Sequence, residues 1–354
     1  LPTFCITSFI LFKNSFMSER KYYHISKTGL SYGMKNLDDA VDSMNEGGFI
    51  WLDYYKPDKE DLMVLVDKLG IHPLSVEDCM DASQVPKIEY FTDNTFIIFN
   101  AFRYENKDLK VDEINLFIGR SFLITVSGIN SDDRRPLMAI EKTLSTDPGN
   151  LKHGPSALMH RILDYIVDQK FSAFDIIEDE LEEAEDVILD KTATFDPSEL
   201  MRIRKCLQTL RKSLFHEREI LVKITRHDFP LIPEKALAHY RDIYDHLARF
   251  FDLTETYRDN VTSLMELYTS LQNNLMSRSA NETNASVRRL TLIATVFMPL
   301  TLIASIGGMS EYTMMTSGLD WKVSYSLFIL GMAVISVVNY LVIRRIEKKG
   351  RLLK

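Results

Sequence analysis

Cysteine is scarce in this sequence, and the few that occur are scattered. The 354 residues include three cysteines, Cys5, Cys79 and Cys206, and no two of them form a CxxC pair. This distribution argues against a thiolate metal site and suits a reducing compartment. The chain also lacks the GxxxxGKS/T, HExxH and GxSxG patterns, and its eight histidines are dispersed. We therefore predict that the protein is not an enzyme.

Most of the chain has no excess of basic residues. The net charge is −8, but the part from Arg288 onward carries nine basic and three acidic residues, and the part before it carries 33 basic and 47 acidic residues. Because phosphate binding needs a basic face, a body with a net charge of −14 is not expected to bind nucleic acid. At 45 % hydrophobic and 26 % charged residues, the composition excludes a disordered or collagen-like chain.

Charge is absent from two segments near the C-terminus. Residues 290–309 and 323–343 contain no charged residue, and each segment is long enough for a helix to cross a hydrocarbon core of about 30 Å. Two buried helices of a soluble protein are the alternative, which the lack of a polar face on either segment disfavours. Arg288 and Arg289 precede the first segment, and six basic residues follow the second. By the positive-inside rule, both flanks are predicted to be cytoplasmic and residues 310–322 to be external.

The first sixteen residues are apolar but do not resemble a signal peptide. No charged region precedes the apolar stretch, and no small-residue cleavage site follows it. Because Met17 begins an ordinary polar sequence, we interpret residues 1–16 as a non-native or upstream extension.

Residues 22–126 alternate β-rich runs with short helical ones, which predicts a domain of mixed α and β structure. Turn residues at 93–94 and 105–108 favour an antiparallel or mixed meander over a parallel sheet. Helices are predicted at 61–69 and 73–80, the second beginning with proline. The predicted strands are residues 22–25, 49–54, 87–91, 95–102, 111–118 and 122–126.

After Pro155 the β signal nearly disappears, and only two breaks interrupt a helical pattern, near 196–197 and 228–233. A helix that continues from the second break into the first apolar segment would be on the order of 110 Å long, and it would be stable in water only where other helices cover it. Residues 175–190 contain nine carboxylates and no basic residue, which indicates either a solvated helix face or a field that attracts cations. The three predicted helices are residues 156–192, 197–227 and 234–308.

Small and polar residues recur at heptad spacing along the first apolar segment. Such a stripe allows close packing of membrane helices, or it lines a pore in which polar atoms contact ion-bound water and apolar ones form a constriction. Since two helices cannot enclose a channel, a pore would require several copies of the chain. The stripe consists of Asn284, Val287, Thr291, Ala294, Met298, Thr301, Ser305 and Gly308.

The run TLIATVFMPLTLIASIGGMS, residues 291–310, resembles the first transmembrane helix of CorA-type magnesium transporters. Residues 72–91, 163–168, 240–246 and 254–259 resemble cytoplasmic segments of that family in the expected order, so the resemblance covers nearly all of the chain from Met17. It implies an α+β cytoplasmic domain followed by long helices and two transmembrane helices, assembled as a funnel-shaped homopentamer in the cell membrane. The expected organisation is an extension (1–16), a cytoplasmic α/β domain (17–150), a long-helix stalk (151–288), a pore-lining helix (289–309), an external loop (310–322), a second transmembrane helix (323–343) and a basic cytoplasmic tail (344–354).

The resemblance also implies roles for residues along the pore. Where the family reads Gly-Met-Asn at the external mouth, this chain reads Gly308-Met309-Ser310, followed by Glu311. A serine hydroxyl still accepts hydrogen bonds from the waters of a hydrated ion, and a ring of glutamates would add negative charge. We therefore expect cation uptake with altered selectivity or lower affinity. Farther inside, Asn284, Thr301 and Ser305 are the expected polar pore positions, and Val287, Leu290 and Met298 are the expected hydrophobic gate.

Four acidic residues fall where the family binds regulatory Mg²⁺ between subunits. Asp78 and Asp242 match one site, and Glu77 and Asp164 lie near a second. Carboxylates that face each other across an interface repel until a dication bridges them, so high internal Mg²⁺ would hold the funnel shut. The expected function is transport of Mg²⁺, with Co²⁺ or Ni²⁺ as further cargo. A zinc-type relative and a non-conducting cation sensor are the alternatives.

Overall fold

The computed structural model comprises two compact units, Leu1–Leu267 and Tyr268–Lys354. We call them the N-terminal and the C-terminal unit. The residues described are 18–28, 31–81, 84–129, 135–146, 151–226, 229–308, 314, 318 and 320–351.

The N-terminal unit begins with a seven-stranded mixed sheet, and the expectation of a meander that is not wholly parallel is confirmed. Its strand order is β2-β1-β3-β7-β6-β5-β4, in which β3 and β7 are parallel and the other neighbours are antiparallel. The strands are β1 (Glu19–Ile25), β2 (Ser31–Met34), β3 (Phe49–Tyr55), β4 (Lys87–Tyr90), β5 (Asn94–Glu105), β6 (Asp108–Gly119) and β7 (Phe122–Ser127).

Six of these strands match the predicted ones, and β2 was not predicted because its sequence, SYGM, is short and contains glycine. The turn predicted at 105–108 joins β5 to β6 through Asn106 and Lys107, which both have positive φ. Two consecutive residues with positive φ form a tight hairpin turn whose twist matches the twist of the two paired strands.

Four short helices belong to the same unit: α1 (Leu37–Ser43), α2 (Lys59–Leu69), α3 (Pro73–Met80) and α4 (Met138–Thr146). The predictions of α2 and α3 are confirmed, and α2 starts two residues early because Asp58 and Asp61 form a capping box. Leu62, Leu65 and Val76 pack against one face of the sheet in a shared apolar core. This core fixes where the acidic end of α3 lies.

The long helices are α5 (Pro155–Lys191), α6 (Ser198–Thr225), α7 (Leu237–Gly307) and α8 (Trp321–Arg351). The predicted helices at 156–192 and 197–227 are confirmed, with a break around Asp196 and Pro197. The start of the third differs, because Glu234–Ala236 form a 3₁₀ turn before α7. In α7 the buried positions alternate three and four residues apart, as expected for one covered face: Tyr240, Ile243, Leu247, Phe250, Thr254, Tyr257, Val261 and Leu264.

A buried ion pair joins α5, α6 and β5. The Lys170 Nζ lies 2.9 Å from both carboxylate oxygens of Glu217 and donates a 2.6 Å hydrogen bond to the carbonyl oxygen of Asn100. Both charged side chains are completely inaccessible to solvent. The Lys170 ammonium also lies 4.1 Å from the ring centroid of Phe102. Burial lowers the pKa of Lys170, and the adjacent carboxylate opposes that shift.

The C-terminal unit contains the end of α7 and the helix α8. Both helices are long and apolar enough to cross a membrane, and none of the residues in either apolar window is buried. Together with the α+β sheet domain and the long helices, they complete the predicted fold class.

Candidate ion pathway and acidic sites

The heptad stripe predicted from the sequence lies on one continuous helix and is accessible along its length. Asn284, Thr301, Ser305 and Gly308 are exposed. The apolar positions are exposed too: Val287 is 55 %, Leu290 69 % and Met298 72 % accessible. Because these apolar side chains lie within or beside an apolar membrane-length segment, the exposed face must be covered by lipid or by other helices.

The hydroxyl groups of this stripe have a defined orientation. Thr301 donates a 2.9 Å hydrogen bond to the carbonyl oxygen of Phe297, and Ser305 donates a 2.8 Å bond to that of Thr301. Thr291 donates in the same way to Val287 at 2.9 Å. Each hydroxyl proton is thus held by the helix itself, and the oxygen lone pairs remain free to accept hydrogen bonds. An acceptor of this kind suits the water molecules around a cation.

Gly307 permits close packing between α7 and α8. A Cβ atom built at Gly307 would lie 2.5 Å from Cζ of Phe328, which is too close for any side chain. A Cβ at Gly308 would meet only carbonyl oxygens of α7, at 3.5 Å and 3.6 Å. The second helix therefore contacts Gly307 and leaves Gly308, the last described residue of the stripe, open.

The two predicted acidic ligands on α3 are both paired with lysines. Asp78 accepts a 2.7 Å hydrogen bond from Lys87, and its side chain is 24 % accessible. Glu77 lies 3.2 Å from the Nζ of Lys59 at the surface. A cation that binds Asp78 must therefore share or displace the ammonium of Lys87.

A buried carboxyl group next to Asp78 was not predicted. Burial raises the pKa of Glu113 to about 7, and the negative charges of Asp81 and Asp78 contribute to the shift. A 2.9 Å hydrogen bond from Asn115 opposes it. No sequence signal distinguished Glu113, since it stands in a strand that contains other polar residues, among them Asp112 and Asn115.

The other two predicted ligands lie on α5 and α7. Asp242 is 70 % accessible and lies 3.7 Å from Nε2 of His246. Burial raises the pKa of Asp168, and the charges of Asp164 and Asp242 add to that shift while His246 opposes it. Burial also lowers the pKa of His160, against the nearby carboxylates Asp164 and Asp242. The structure thus brings Asp164 and Asp242 into one electrostatic neighbourhood, to which Asp168 is an unpredicted addition.

Within the described part of a single chain, no group of three or more His, Cys, Asp or Glu side chains is arranged to hold a metal ion. Met309, Ser310 and Glu311, which were predicted at the pore mouth, lie outside the described residues. The predicted acidic residues therefore do not form a complete metal site among the described residues of one chain.

Residues 46–345 match the family model described as CorA-like Mg²⁺ transporter protein. The chain belongs to this family. The CorA-like sequence is 30 % identical over 309 residues to the putative metal ion transporter YfjQ of Bacillus subtilis, with 87 % of this chain and 92 % of that protein covered. It is 31 % identical over 273 residues to the cobalt/magnesium transport protein CorA of Thermotoga maritima, which covers 76 % of this chain and 74 % of the relative.

The CorA-like fold is also present in a solved structure. The complete structure of the CorA magnesium transporter from Methanocaldococcus jannaschii aligns with a TM-score of 0.66 at 25 % sequence identity. The alignment covers 92 % of this chain and 97 % of that one. The protein is therefore a CorA-like membrane transporter of divalent cations, and its family is not one of enzymes.

Proposed function

We propose that this chain is one subunit of a homopentameric channel that conducts hydrated Mg²⁺, with Co²⁺ or Ni²⁺ as further cargo, through a pore lined by the stripe of α7. The observation that carries the proposal is that the Thr301 and Ser305 hydroxyls, both on the heptad stripe, donate their protons to backbone carbonyls and so keep lone pairs free to accept hydrogen bonds. With only two membrane-length helices in the described part of the chain, a pore needs several copies. Five copies agree with the resemblance to CorA-type transporters.

Hydration supplies the physical reason for such a lining. Mg²⁺ gives up its water slowly, so a pore conducts it most easily with its first hydration shell intact. The waters of that shell direct their hydrogen atoms outward, and rings of hydroxyl oxygens at Thr301 and Ser305 accept them. Rings of Met298 and Leu290 between the polar positions give an apolar constriction that closes by losing its water.

The proposed mouth consists of Gly308, Met309, Ser310 and Glu311. A serine ring offers hydroxyl oxygens to the hydrated ion where an asparagine ring would offer amide oxygens, which reach farther from the backbone. Five glutamates next to it would raise the local cation concentration. We expect these two changes to alter selectivity or lower affinity while transport is retained.

The proposed location is the cell or inner membrane, with the C-terminal end of α7 and the apolar part of α8 in the lipid bilayer and both termini in the cytoplasm. The supporting observation is that Arg288 and Arg289 precede the first apolar segment, while Arg344, Arg345 and the basic residues after them follow the second. In this orientation the acidic N-terminal unit faces the cytoplasm, where Asp78, Glu77, Asp164 and Asp242 would bind regulatory Mg²⁺ between subunits.

Uptake of radioactive Mg²⁺, Co²⁺, Ni²⁺ and Zn²⁺ into vesicles reconstituted with the full chain tests the proposal. We expect Mg²⁺ uptake that the other ions inhibit by competition, and we expect the Ser310→Asn variant to bind Mg²⁺ more tightly at the mouth. Uptake of Zn²⁺ in preference to Mg²⁺ would indicate a zinc-type transporter. If none of the four ions moved, the protein would be a cation sensor and not a channel.

A further inference from the structure

A groove between α6 and α7 in the N-terminal unit is lined by basic side chains. It has a volume of about 510 Å³, and its lining includes Arg204, Arg211, Lys212, Phe215 and Arg258. Phe215 is 51 % exposed although it is a large aromatic residue. We call this feature the basic groove. It stands out because the body around it carries a strong net negative charge.

The charge of the basic groove is only partly neutralised within the chain. Glu255 pairs with both Arg211 and Arg258, the latter at 2.7 Å. Arg204 and Lys212 form no ion pair with any residue that the structure describes. Arg258 also lies 3.4 Å from the exposed carboxylate of Asp259. Four cationic side chains therefore share two carboxylates, which leaves a local positive potential suited to an anionic partner.

A row of carboxylates on the outer face of α5 carries negative charge that is not neutralised by ion pairs. Six exposed residues lie at helical spacings of four, three, one, three and four residues, and none has a partner in the described part of the chain. Like charges at these spacings repel one another along a helix. The six residues, which we call the acidic stripe, are Asp175, Asp179, Glu182, Glu183, Asp186 and Asp190.

The acidic stripe cannot fill the groove of its own chain. The buried positions of α5 in this segment, Ile177, Leu181, Ala184 and Ile188, lie on the opposite side of the helix. The stripe therefore faces away from the interior of its own unit. A basic groove of an N-terminal unit that meets the stripe therefore belongs to another copy of the chain.

The two surfaces match in spacing and in apolar content. Along α6 the groove positions Arg204, Gln208, Arg211, Lys212 and Phe215 follow one another at intervals of four, three, one and three residues. The first five members of the acidic stripe have the same intervals. An exposed apolar residue borders each surface, Phe215 at the groove and Leu189, which is 55 % exposed, beside the stripe. An interface combines such an apolar contact with a charged rim.

We propose that the acidic stripe of one subunit docks into the basic groove of a neighbouring subunit. Groove and stripe are different surfaces of one chain, so the contact is head-to-tail, and repeated around an axis it closes a ring. The inference concerns contacts between N-terminal units and does not depend on which ion is conducted.

Zero-length carbodiimide cross-linking of the full chain in detergent tests the contact directly. Assemblies mixed from ¹⁴N- and ¹⁵N-labelled subunits are expected to give mixed-isotope peptides that join Lys212 to carboxylates of the acidic stripe. Cross-links that occur only within single chains, or no cross-links at Lys212, would overturn the proposal. Protection of Lys212 from acetylation by ATP or inorganic phosphate, without cross-links between subunits, would assign the groove to a soluble anion instead.

Charge reversal gives an independent measurement. In Arg204→Glu/Lys212→Glu, the fraction of dissociated subunits measured by native mass spectrometry is expected to rise about tenfold, since several interfacial ion pairs become repulsive. Adding Asp179→Lys/Glu183→Lys is expected to reverse most of that change. The matched control is Lys205→Glu/Lys223→Glu, which alters two exposed lysines of the same helix outside the groove lining. Equal dissociation of the groove variant and the control would contradict the proposal. Mg²⁺ uptake is measured separately, so a parent protein that conducts Mg²⁺ but gives no cross-links between subunits at Lys212 refutes the docking alone.

Discussion

The hydroxyl-bearing residues of α7 are chemically alike, but their positions on the helix give them different expected roles. Thr301 and Thr295 both donate to the carbonyl four residues earlier, at 2.9 Å and 2.7 Å. Only Thr301 belongs to the heptad stripe. Since the two hydroxyls have the same hydrogen-bonding state, we propose that their different directions on the helix decide which of them affects conduction.

Replacing Thr301 with valine tests this distinction. Valine keeps the shape of threonine and removes the acceptor oxygen, so we expect Thr301→Val to lower Mg²⁺ uptake by about fivefold if each hydrated ion loses one ring of hydrogen bonds worth about 1 kcal/mol. Thr295→Val makes the same chemical change away from the stripe and should leave uptake near the parent rate. The flux assay in reconstituted vesicles measures both, and equal loss in the two variants would contradict the assignment.

Glu113 is the residue whose protonation is predicted to affect stability near neutral pH. Its pKa is raised to about 7 from an ordinary 4.5, so the folded protein holds the proton more tightly than the unfolded chain. The stabilisation is therefore complete below pH 4.5 and is lost as the pH rises through 7, with a total of up to about 3 kcal/mol.

Thermal unfolding of the purified protein between pH 4.5 and 8 measures this effect. Compared with the parent, Glu113→Gln should show a smaller fall in melting temperature as the pH rises. Asp67→Asn, which changes an exposed carboxylate on α2, is the control and should keep the parental slope. A slope in Glu113→Gln as steep as in the parent would refute the prediction.

At the scale of elements, the long helices are attached to the sheet through charge as well as apolar packing. Lys170 on α5 and Glu217 on α6 are completely buried, and the backbone of Asn100 on β5 binds both of them. Ser213 adds a hydrogen bond to Glu217 at 3.1 Å. A buried pair with its remaining hydrogen bonds satisfied holds three elements in one arrangement.

Removing one member of the pair should lower the free energy of unfolding much more than removing both. Glu217→Gln leaves the Lys170 charge buried without a counter-ion, and we expect a loss of about 3–5 kcal/mol in the free energy of unfolding. The double variant Lys170→Met/Glu217→Leu should lose clearly less than the single one, since no unpaired charge remains. Melting curves followed by circular dichroism give the comparison, and a double variant less stable than Glu217→Gln would argue against this account.

At the scale of the whole molecule, basic and acidic residues are concentrated in different parts of the chain. The basic residues at the C-terminal end agree with a membrane orientation, and the acidic body carries the proposed regulatory sites and the acidic stripe. In one chain Asp78 is neutralised by Lys87, while Asp242 is largely exposed and lies 3.7 Å from His246. A site completed between subunits would therefore respond to Mg²⁺ only after assembly.

The double variant Asp78→Asn/Asp242→Asn tests the regulatory role. It removes charge from both sides of the proposed site, so internal Mg²⁺ should inhibit transport much less than in the parent. Asp67→Asn/Asp259→Asn changes two exposed carboxylates elsewhere and serves as the control. Uptake measured against increasing internal Mg²⁺ gives the result, and inhibition equal to that of the parent would show that the assignment is wrong.

Periodicity made the long helices and most strands predictable, because each of them buries a regular face of its own sequence. The short strand β2 and the helices α1 and α4 were not predicted, since elements this short show little periodicity. Among the candidate ligands, Asp78, Glu77, Asp164 and Asp242 came from segment resemblance, and their roles stay proposals. Glu113 and Asp168 were missed because only burial next to other acids distinguishes them from ordinary surface carboxylates.

The sequence by itself determined the two membrane-length segments, the long helices and the heptad stripe, since these depend on composition and spacing along the chain. Only the tertiary structure decided which charges are buried or paired. Lys170 and Glu217 are 47 residues apart and Asp78 and Lys87 are nine apart, and no periodic signal links either pair. The tertiary structure also decided that the basic groove and the acidic stripe face outward on separate surfaces, because the exposure of these residues depends on how α5, α6 and α7 pack together.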